Sequence, residues 1–387
     1  MQRSEGRVLT THAGSLPRPR ALVDLLVARS RREAVDPTAL ASAVDEATRH
    51  VVAQQLAAGI DVGNDGEQGR ESFVTYVQHR LSGFGGRGQR PVMRDIVHFG
   101  SFLQLKLPEF GRTMVNLIET PQAVGPVRYA DATAVARELD DLQRIAAEQA
   151  AHFSEMFATA ASPGIVASAM PNAYYDSEAA YLDAVADALA PEYSAIAARG
   201  VVLQVDCPDL AMERHTSFAD RPLADFIAWI ERAVEALNRA LASVPPERVR
   251  MHVCWGNYEA PHIFDVALEA ILPVLYRARV GALVLSMANP RHAHEHRCLQ
   301  RHPLPDGMLL IAGVIDPTTN YVEHPEVVAD RIESAARAAG DPRRVLAGTD
   351  CGFDTAAGLG CVAEEVVWEK LRALRAGADL ASARLFG

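Results

Sequence analysis

The chain has 387 residues, with 38 lysines and arginines against 49 aspartates and glutamates, a formal charge of −11 at neutral pH. At 49 % hydrophobic and 22 % charged residues it has the composition of a globular protein large enough to bury its own core, which excludes intrinsic disorder. An acidic chain without a long basic run also makes nucleic acid an unsuitable partner.

No stretch of about 18 uncharged apolar residues is present to span a membrane, and the segment Met1–Val8 lacks the apolar centre of a signal peptide. A cytoplasmic protein with no membrane partner is therefore expected. Cys207, Cys254, Cys298, Cys351 and Cys361 are an odd number of cysteines, which suits metal binding or packing better than a disulfide framework.

Short Val/Ile/Leu-rich runs alternate with longer amphipathic stretches along the whole chain, the rhythm of parallel strands joined by helices. The predicted strands are Val8–His12, Ile60–Asn64, Val124–Tyr129, Ile165–Met170, Val201–Asp206, Val249–Cys254, Ala282–Met287, Met308–Ile315 and Val345–Asp350. Nine is one more than a closed eight-stranded barrel needs, so one of them is expected to be accessory. Between them, Asp36-Pro37 opens a helix to about Ala58, Asp131 precedes one to about Thr159, and Pro325 starts one that stops at Gly340. The run Gly83–Pro91 breaks the rhythm and predicts a flexible loop leading into an insertion around residues 83–121.

The strands are apolar throughout, which implies burial on both faces, and no Gly-x-Gly-x-x-Gly follows any of them. The predicted fold is thus α/β, a single (β/α)8 TIM barrel over residues 1–387. Polar clusters gather at the carboxyl ends of the predicted strands, the catalytic face of a barrel. They include residues 11–18, 64–70, 206–209, 252–257, 289–292, 316–320 and 349–352.

The sharpest pair is His252 and Cys254. Two apart on a strand, they point to the same side, so an imidazole nitrogen and a thiolate can approach one metal ion. Cys351, at the end of another strand, offers a third soft ligand and leaves one position for substrate, the pattern of catalytic zinc. Taken alone, a His-x-Cys in a buried strand reads more readily as two packed residues, and the metal reading gains weight from its company. The run Arg291–His296 invites a second metal reading, with His292 and His296 on one helical face, or a solvated His-rich loop. Trp255, Tyr258 and His262 are candidate pocket residues beside the zinc pair. Cys207, Cys298 and Cys361 have no matching partner and read as structural.

In order along the chain, Gly14-Ser15, Asp65-Gly66-Glu67, Gln204-Val205-Asp206, His252-Val253-Cys254 and Asp350-Cys351-Gly352 resemble the catalytic barrel of cobalamin-independent methionine synthase and its smaller relatives, the epoxyalkane:coenzyme M transferases. The resemblance spans nearly the whole chain. It implies a barrel of the uroporphyrinogen decarboxylase/methionine synthase type that holds Zn2+ through His252, Cys254 and Cys351, with a substrate thiol at the open position. It also implies that Glu67 and Asp206 hold an amino group and that Gly14 and Ser15 receive a carboxylate. For each acid the alternative is an ion pair with an arginine such as Arg18 or Arg70.

Two departures stand out. The glutamate that adds a zinc ligand in methionine synthases falls here at Ser286 or Ala288, with Glu295 as a possible replacement. The histidine used near methylfolate is missing from residues 316–320. The implied partners are a small-molecule thiol and an electrophilic alkyl donor, with homo-oligomerisation left open, and the implied reaction is S-alkylation, including epoxide opening. His12, Tyr174, Tyr175 or Arg291 would then supply a proton or positive charge. The alternatives are a corrinoid- or folate-linked homocysteine methyltransferase, a metal-free decarboxylase of the uroporphyrinogen type and a non-catalytic thiol-binding protein.

Overall fold

The computed structural model describes residues 1–108 and 113–387; residues 109–112, within the predicted insertion, lie outside the described residues. The strands are β1 (Val62–Gly63), β2 (Leu81–Gly85), β3 (Gln122–Tyr129), β4 (Glu155–Ala161), β5 (Val202–Asp206), β6 (Val249–Val253), β7 (Ala282–Leu285), β8 (Leu309–Ile315) and β9 (Val345–Thr349). Seven of them form one curled parallel sheet in the order β1-β4-β5-β6-β7-β8-β9, while β2 and β3 pair as a separate antiparallel hairpin.

Both edges of the large sheet are hydrogen-bonded to one N-terminal segment. On the β9 side, the Thr11 N–H donates to the Ala347 carbonyl at 2.8 Å and the Ala347 N–H to the Leu9 carbonyl at 2.9 Å. On the β1 side, the Asp61 and Val62 N–H groups both reach the Thr10 carbonyl, at 3.1 and 3.0 Å. Asp61 fixes this seam with its carboxylate, which accepts the Thr10 N–H at 2.9 Å and the Arg7 guanidinium at 2.7 and 2.6 Å.

Alternate strand residues face opposite sides of the sheet, so it has two cores. Helices cover the outer face with a continuous apolar cluster. The concave face carries a smaller one, built from Leu9, Val62, Phe157, Val202, Val284, Ile311 and Leu346. In that layer β6 contributes Arg250, which is fully buried with its guanidinium 3.6 Å from the centre of the Phe157 ring.

Several sequence expectations need correcting. Val8–His12 forms no strand of its own, making only the Thr10–Ala347 bridge to β9; the expected accessory strand is Val124–Tyr129, paired with β2 outside the large sheet. Ile165–Met170 belongs mostly to a helix, Pro163–Ala169, because Ser162 accepts the Ile165 N–H at 3.0 Å and Pro163 takes the first helical position. The strand expected there is β4, inside the stretch assigned to the helix after Asp131; that helix ends at Ala147. The run at 83–91 begins inside β2, and two short helices, Arg94–His98 and Gly100–Lys106, follow it. The other two helices keep their predicted ends: Asp36 accepts the Thr38 N–H before Pro37–Ala57, and left-handed Gly340 (φ 77°) closes Pro325–Ala339.

The loop after β8 is anchored from beneath. Glu323 accepts the Asp316 N–H at 2.8 Å and the Lys370 ammonium at 2.9 Å, and Lys370 is fully buried. Lys370→Met strands a buried carboxylate, so it should cost about 3–5 kcal/mol in urea unfolding, and adding Glu323→Gln should recover a large part of that loss. Equal stability of the single and double variants would show that the pair does not anchor the loop.

Candidate metal centre

In the parallel register of β5 and β6, Asp206 is paired with His252. Strand pairing itself therefore sets the carboxylate against the imidazole, and Asp206 Oδ1 lies 3.2 Å from His252 Nδ1. The same oxygen accepts the Gln204 amide at 2.7 Å, and that amide also donates to the Ala13 carbonyl at 2.7 Å. Arg250 orients Gln204 by donating to its Oε1 at 2.8 Å, and reaches the Thr11 hydroxyl at 3.1 Å and the His12 carbonyl at 2.9 Å. A chain of buried donors thus runs from Arg250 through Gln204 to Asp206 and turns His252 Nε2 toward Cys351.

His252 Nε2 and Cys351 Sγ are 3.8 Å apart. On a flat sheet the strands before these residues, β6 and β9, would be roughly 14 Å apart, three inter-strand steps. The curl brings their ends together, and the ligand atoms of His252, Cys254 and Cys351 all lie within 4.8 Å of one another. All three side chains are buried. A hydrogen bond from Cys351, opposed by burial and aided by His252, holds the Cys254 thiol well below its usual range. Cys351 is pushed well above it by the same bond and by burial. Two thiol sulfurs and an imidazole whose other nitrogen rests on a carboxylate form a donor set that fits zinc.

A cavity of about 90 Å³ borders the three residues and is also lined by Ser15, Glu67, Arg90, Asp206 and Asn257. Gly14 shapes its floor: at φ 128° it has no side chain, and a Cβ there would meet Glu67 Oε1 at 2.5 Å. Glu67 itself adopts φ 58°, a left-handed conformation uncommon for a side-chain-bearing residue. Its Oε2, the Ser15 hydroxyl and Arg90 Nε are buried with no hydrogen-bond partner among the described residues. Burial first, and then the charge of Asp206, push the Glu67 carboxyl up to about 7.

The remaining sequence candidates fall elsewhere. His12 lies beneath the cavity with both ring nitrogens engaged: Nδ1 accepts the Gly14 N–H at 3.2 Å and Nε2 meets Gln55 Oε1 at 2.8 Å. Burial lowers it to about 4, so it holds the Gly14 turn as a neutral ring. Tyr174 is half exposed on a surface turn, and Arg291 is exposed, donating to the His262 carbonyl at 3.1 Å. None of the three lines the cavity, and none is placed to donate a proton there. Tyr175 is committed too, since its hydroxyl accepts the Val127 N–H at 2.8 Å.

Glu295 is not a replacement ligand, because its carboxylate accepts the Leu268 N–H at 2.6 Å and pairs with His292 at 2.9 Å. The Ser286 hydroxyl donates to the Asp350 carbonyl at 3.0 Å. Arg18 pairs with Asp354, and Arg70 with Glu138 and the Thr159 carbonyl, so neither is the ion-pair partner of Glu67 or Asp206. Asn257 belongs to the polar cluster at 252–257, whereas Arg90 and Met212 went unmarked in the sequence; the only signal for Arg90 was its place as the second of two arginines in the glycine-rich run 83–91. Cys207 and Cys298 are buried, and Cys361 is exposed.

No protein-family model matches the chain. It is 25 % identical over 345 residues to a methionine synthase of Sulfolobus acidocaldarius, a match covering 89 % of this chain and 85 % of that protein. It is 28 % identical over 178 residues to the 2-hydroxypropyl-CoM lyase of Xanthobacter autotrophicus, covering 40 % of this chain and 46 % of that enzyme, less than half its length. Among solved structures, a B12-independent methionine synthase from Shewanella sp. W3-18-1 superposes with a TM-score of 0.73 at 22 % identity, covering 98 % of this chain and 99 % of that one.

The raised Glu67 carboxyl gives a pH test. Between its ordinary value of 4.5 and about 7 the folded chain holds a proton that the unfolded chain releases, so stability from this group is present below 4.5 and lost as pH rises through 7. Unfolding of the metal-free chain should therefore show the wild type losing about 1–3 kcal/mol relative to Glu67→Gln over that span. A pH-independent difference would mean that Glu67 is ionised throughout. The chain is a sequence relative of methionine synthases and of 2-hydroxypropyl-CoM lyase, and it has the fold of B12-independent methionine synthase.

Proposed function

We propose that the chain is a zinc-dependent cytoplasmic transferase that alkylates the sulfur of a small-molecule thiol. In this reading it is a single catalytic domain, and the segment Val8–His12, hydrogen-bonded to both edges of the seven-stranded sheet, is the eighth stave of a closed (β/α)8 barrel. The observation that carries the proposal is the convergence of His252, Cys254 and Cys351, with mutually close ligand atoms, at the wall of a cavity. When bound, zinc supplies the Lewis acidity that keeps a thiol, ordinarily near pKa 8.5, deprotonated and nucleophilic at neutral pH.

The chain's own groups orient the substrate. Glu67 Oε2 is buried and unpartnered, and Asp206 lines the same cavity, so together they suit an ammonium group. The unpartnered Ser15 hydroxyl, beside the Gly14 turn, suits the carboxylate of an amino-acid thiol. Homocysteine-class thiols satisfy both demands. A second reading rests on Arg90, whose guanidinium lines the cavity with Nε unpartnered while Nη2 donates to Glu213 at 2.7 Å. That group suits an anionic thiol without an amino group, as in epoxide opening by a sulfonated thiol.

Zinc-edge absorption spectroscopy of the wild type should find two sulfur ligands, and a third when a bound thiol is present. Cys254→Ser and Cys351→Ser should lose sulfur-bound zinc and S-alkylation together. Zinc without sulfur neighbours in the wild type would remove the site and favour the metal-free decarboxylase reading. Glu67→Gln separates the thiol classes: binding of an amino-acid thiol should weaken by about 1.5–3 kcal/mol while mercaptoethanol is little changed. Equal effects on both would refute the amino-group assignment.

A further inference from the structure

A second group of metal-capable side chains lies beside Trp255, the residue after Cys254. His262 Nδ1 lies 2.9 Å and His292 Nε2 2.8 Å from the same oxygen, Asp265 Oδ2. The three ligand atoms are within 4.8 Å of one another. Both histidines are buried and the Asp265 side chain is 4 % exposed. His292 is clamped by Trp255, stacked at 3.9 Å between ring centres. The two histidines border a small cavity that also meets Ser286, Asp316 and Cys351.

The outer nitrogens narrow the arrangement. His262 Nε2 lies 3.0 Å from the Tyr258 carbonyl, and His292 Nδ1 lies 2.9 Å from Glu295 Oε2. Both are pure acceptors, so each outer nitrogen must carry the proton and, in the neutral ring, the inner nitrogen presents a lone pair toward Asp265. Two lone pairs and a carboxylate oxygen facing one another repel unless a cation lies among them. Metal-bound histidines have this outer shell, with the remote N–H held by a carbonyl or carboxylate. The spacing fits as well: ligand atoms 2.8–2.9 Å apart match the edges of an octahedron with bonds of about 2.1 Å. Asp265 Oδ1 and His215 Nδ1, 3.0 Å apart, are further buried atoms without an aligned hydrogen bond.

We propose that His262, Asp265 and His292 form a second metal site, specific for a divalent first-row transition ion of nitrogen and oxygen preference. Two histidines and one carboxylate leave coordination positions open. His262 and His292 also line the small cavity shared with Cys351, where the site would hold an oxygen atom of the second substrate. The alternative occupant is protons: both rings doubly protonated around Asp265 and Glu295.

The site does not depend on the zinc reading, and cobalt separates the two. The chelator-stripped chain should bind two equivalents of Co2+, one with an intense thiolate-to-metal charge-transfer band and one with only weak ligand-field absorption. Cys254→Ser/Cys351→Ser should remove the sulfur band and keep the second equivalent, whatever becomes of the proposed reaction. Asp265→Asn, nearly isosteric, and His262→Gln should keep the sulfur band and weaken the other equivalent more than tenfold. Glu295→Gln should weaken it about 10–100-fold, as loss of an outer-shell partner does. Circular dichroism and tryptophan fluorescence report whether each variant folds. A wild type that binds cobalt only with the sulfur band, or a second equivalent unmoved by folded Asp265→Asn, overturns the proposal and leaves the protonated network.

Discussion

The site depends on the curl of one parallel sheet. His252 and Cys254 leave the end of β6, Cys351 follows β9, and two other strands lie between. Only a strongly curved sheet lets an imidazole on one side meet a thiol on the other at 3.8 Å. Within the apolar cluster of the concave face, built around Phe157, Val202 and Val284, sits one buried cation, Arg250, and it is productive. A buried guanidinium is tolerable only when its donors are used and its face is covered. Here Phe157 covers the face, while Gln204, Thr11 and the His12 carbonyl take the donors.

The consequence reaches the candidate ligands through geometry. Because Arg250 occupies Gln204 Oε1, the amide can present only its N–H groups upward, to Asp206 and to the Ala13 carbonyl. One oxygen of Asp206 is thereby fixed in the register position opposite His252. The residues that shape the cavity floor, Gly14 and Ser15, follow directly on the segment that Arg250 holds. A single buried cation thus fixes both the orientation of the imidazole and the position of the turn that faces it, and any loosening there would disturb both.

What was legible in the sequence follows from this. His252 and Cys254 were visible because a strand has period two, which puts them on one side whatever the rest of the fold does. Cys351 was visible as a soft ligand at another strand end, but only the resemblance tied it firmly to the pair, since nothing local says that two distant strand ends converge. The error at residues 155–170 has a local cause: the Ala-rich β4 sequence lacks the β-branched signature of a strand, while the apolar run after Ser162-Pro163 imitates one, although those two residues mark a helix start. The proton-donor candidates lie away from the cavity for another reason. His12, Tyr174 and Arg291 were chosen by residue type at loop positions, and side-chain direction in loops is set by tertiary contacts that no spacing encodes. His262 and His292 were noticed separately, but Asp265, which joins them, carried no sequence signal of its own.

The far side of the cluster bears on which thiol the proposed function favours. Asp350 precedes Cys351, yet its carboxylate is committed to three backbone N–H groups, those of Met287, Ala288 and Asn289, at 2.8, 2.9 and 2.7 Å. Gly313 makes room for it, since a Cβ there would lie 2.2 Å from Asp350 Oδ1. Ser286 is likewise spent on a carbonyl, so the oxygen donors flanking Cys351 are bound to the backbone and a cation in the cluster meets two sulfurs and one nitrogen. Two thiolates would already balance a dication held there, and a substrate giving up its thiol proton would add one more negative charge. That charge arises near two buried carboxyl groups, Glu67 and Asp206, in a medium where like charges interact strongly. A substrate carrying its own ammonium group between them relieves the repulsion and lets Glu67 ionise, which is the physical reason that the proposed function favours an amino-acid thiol over a simple one.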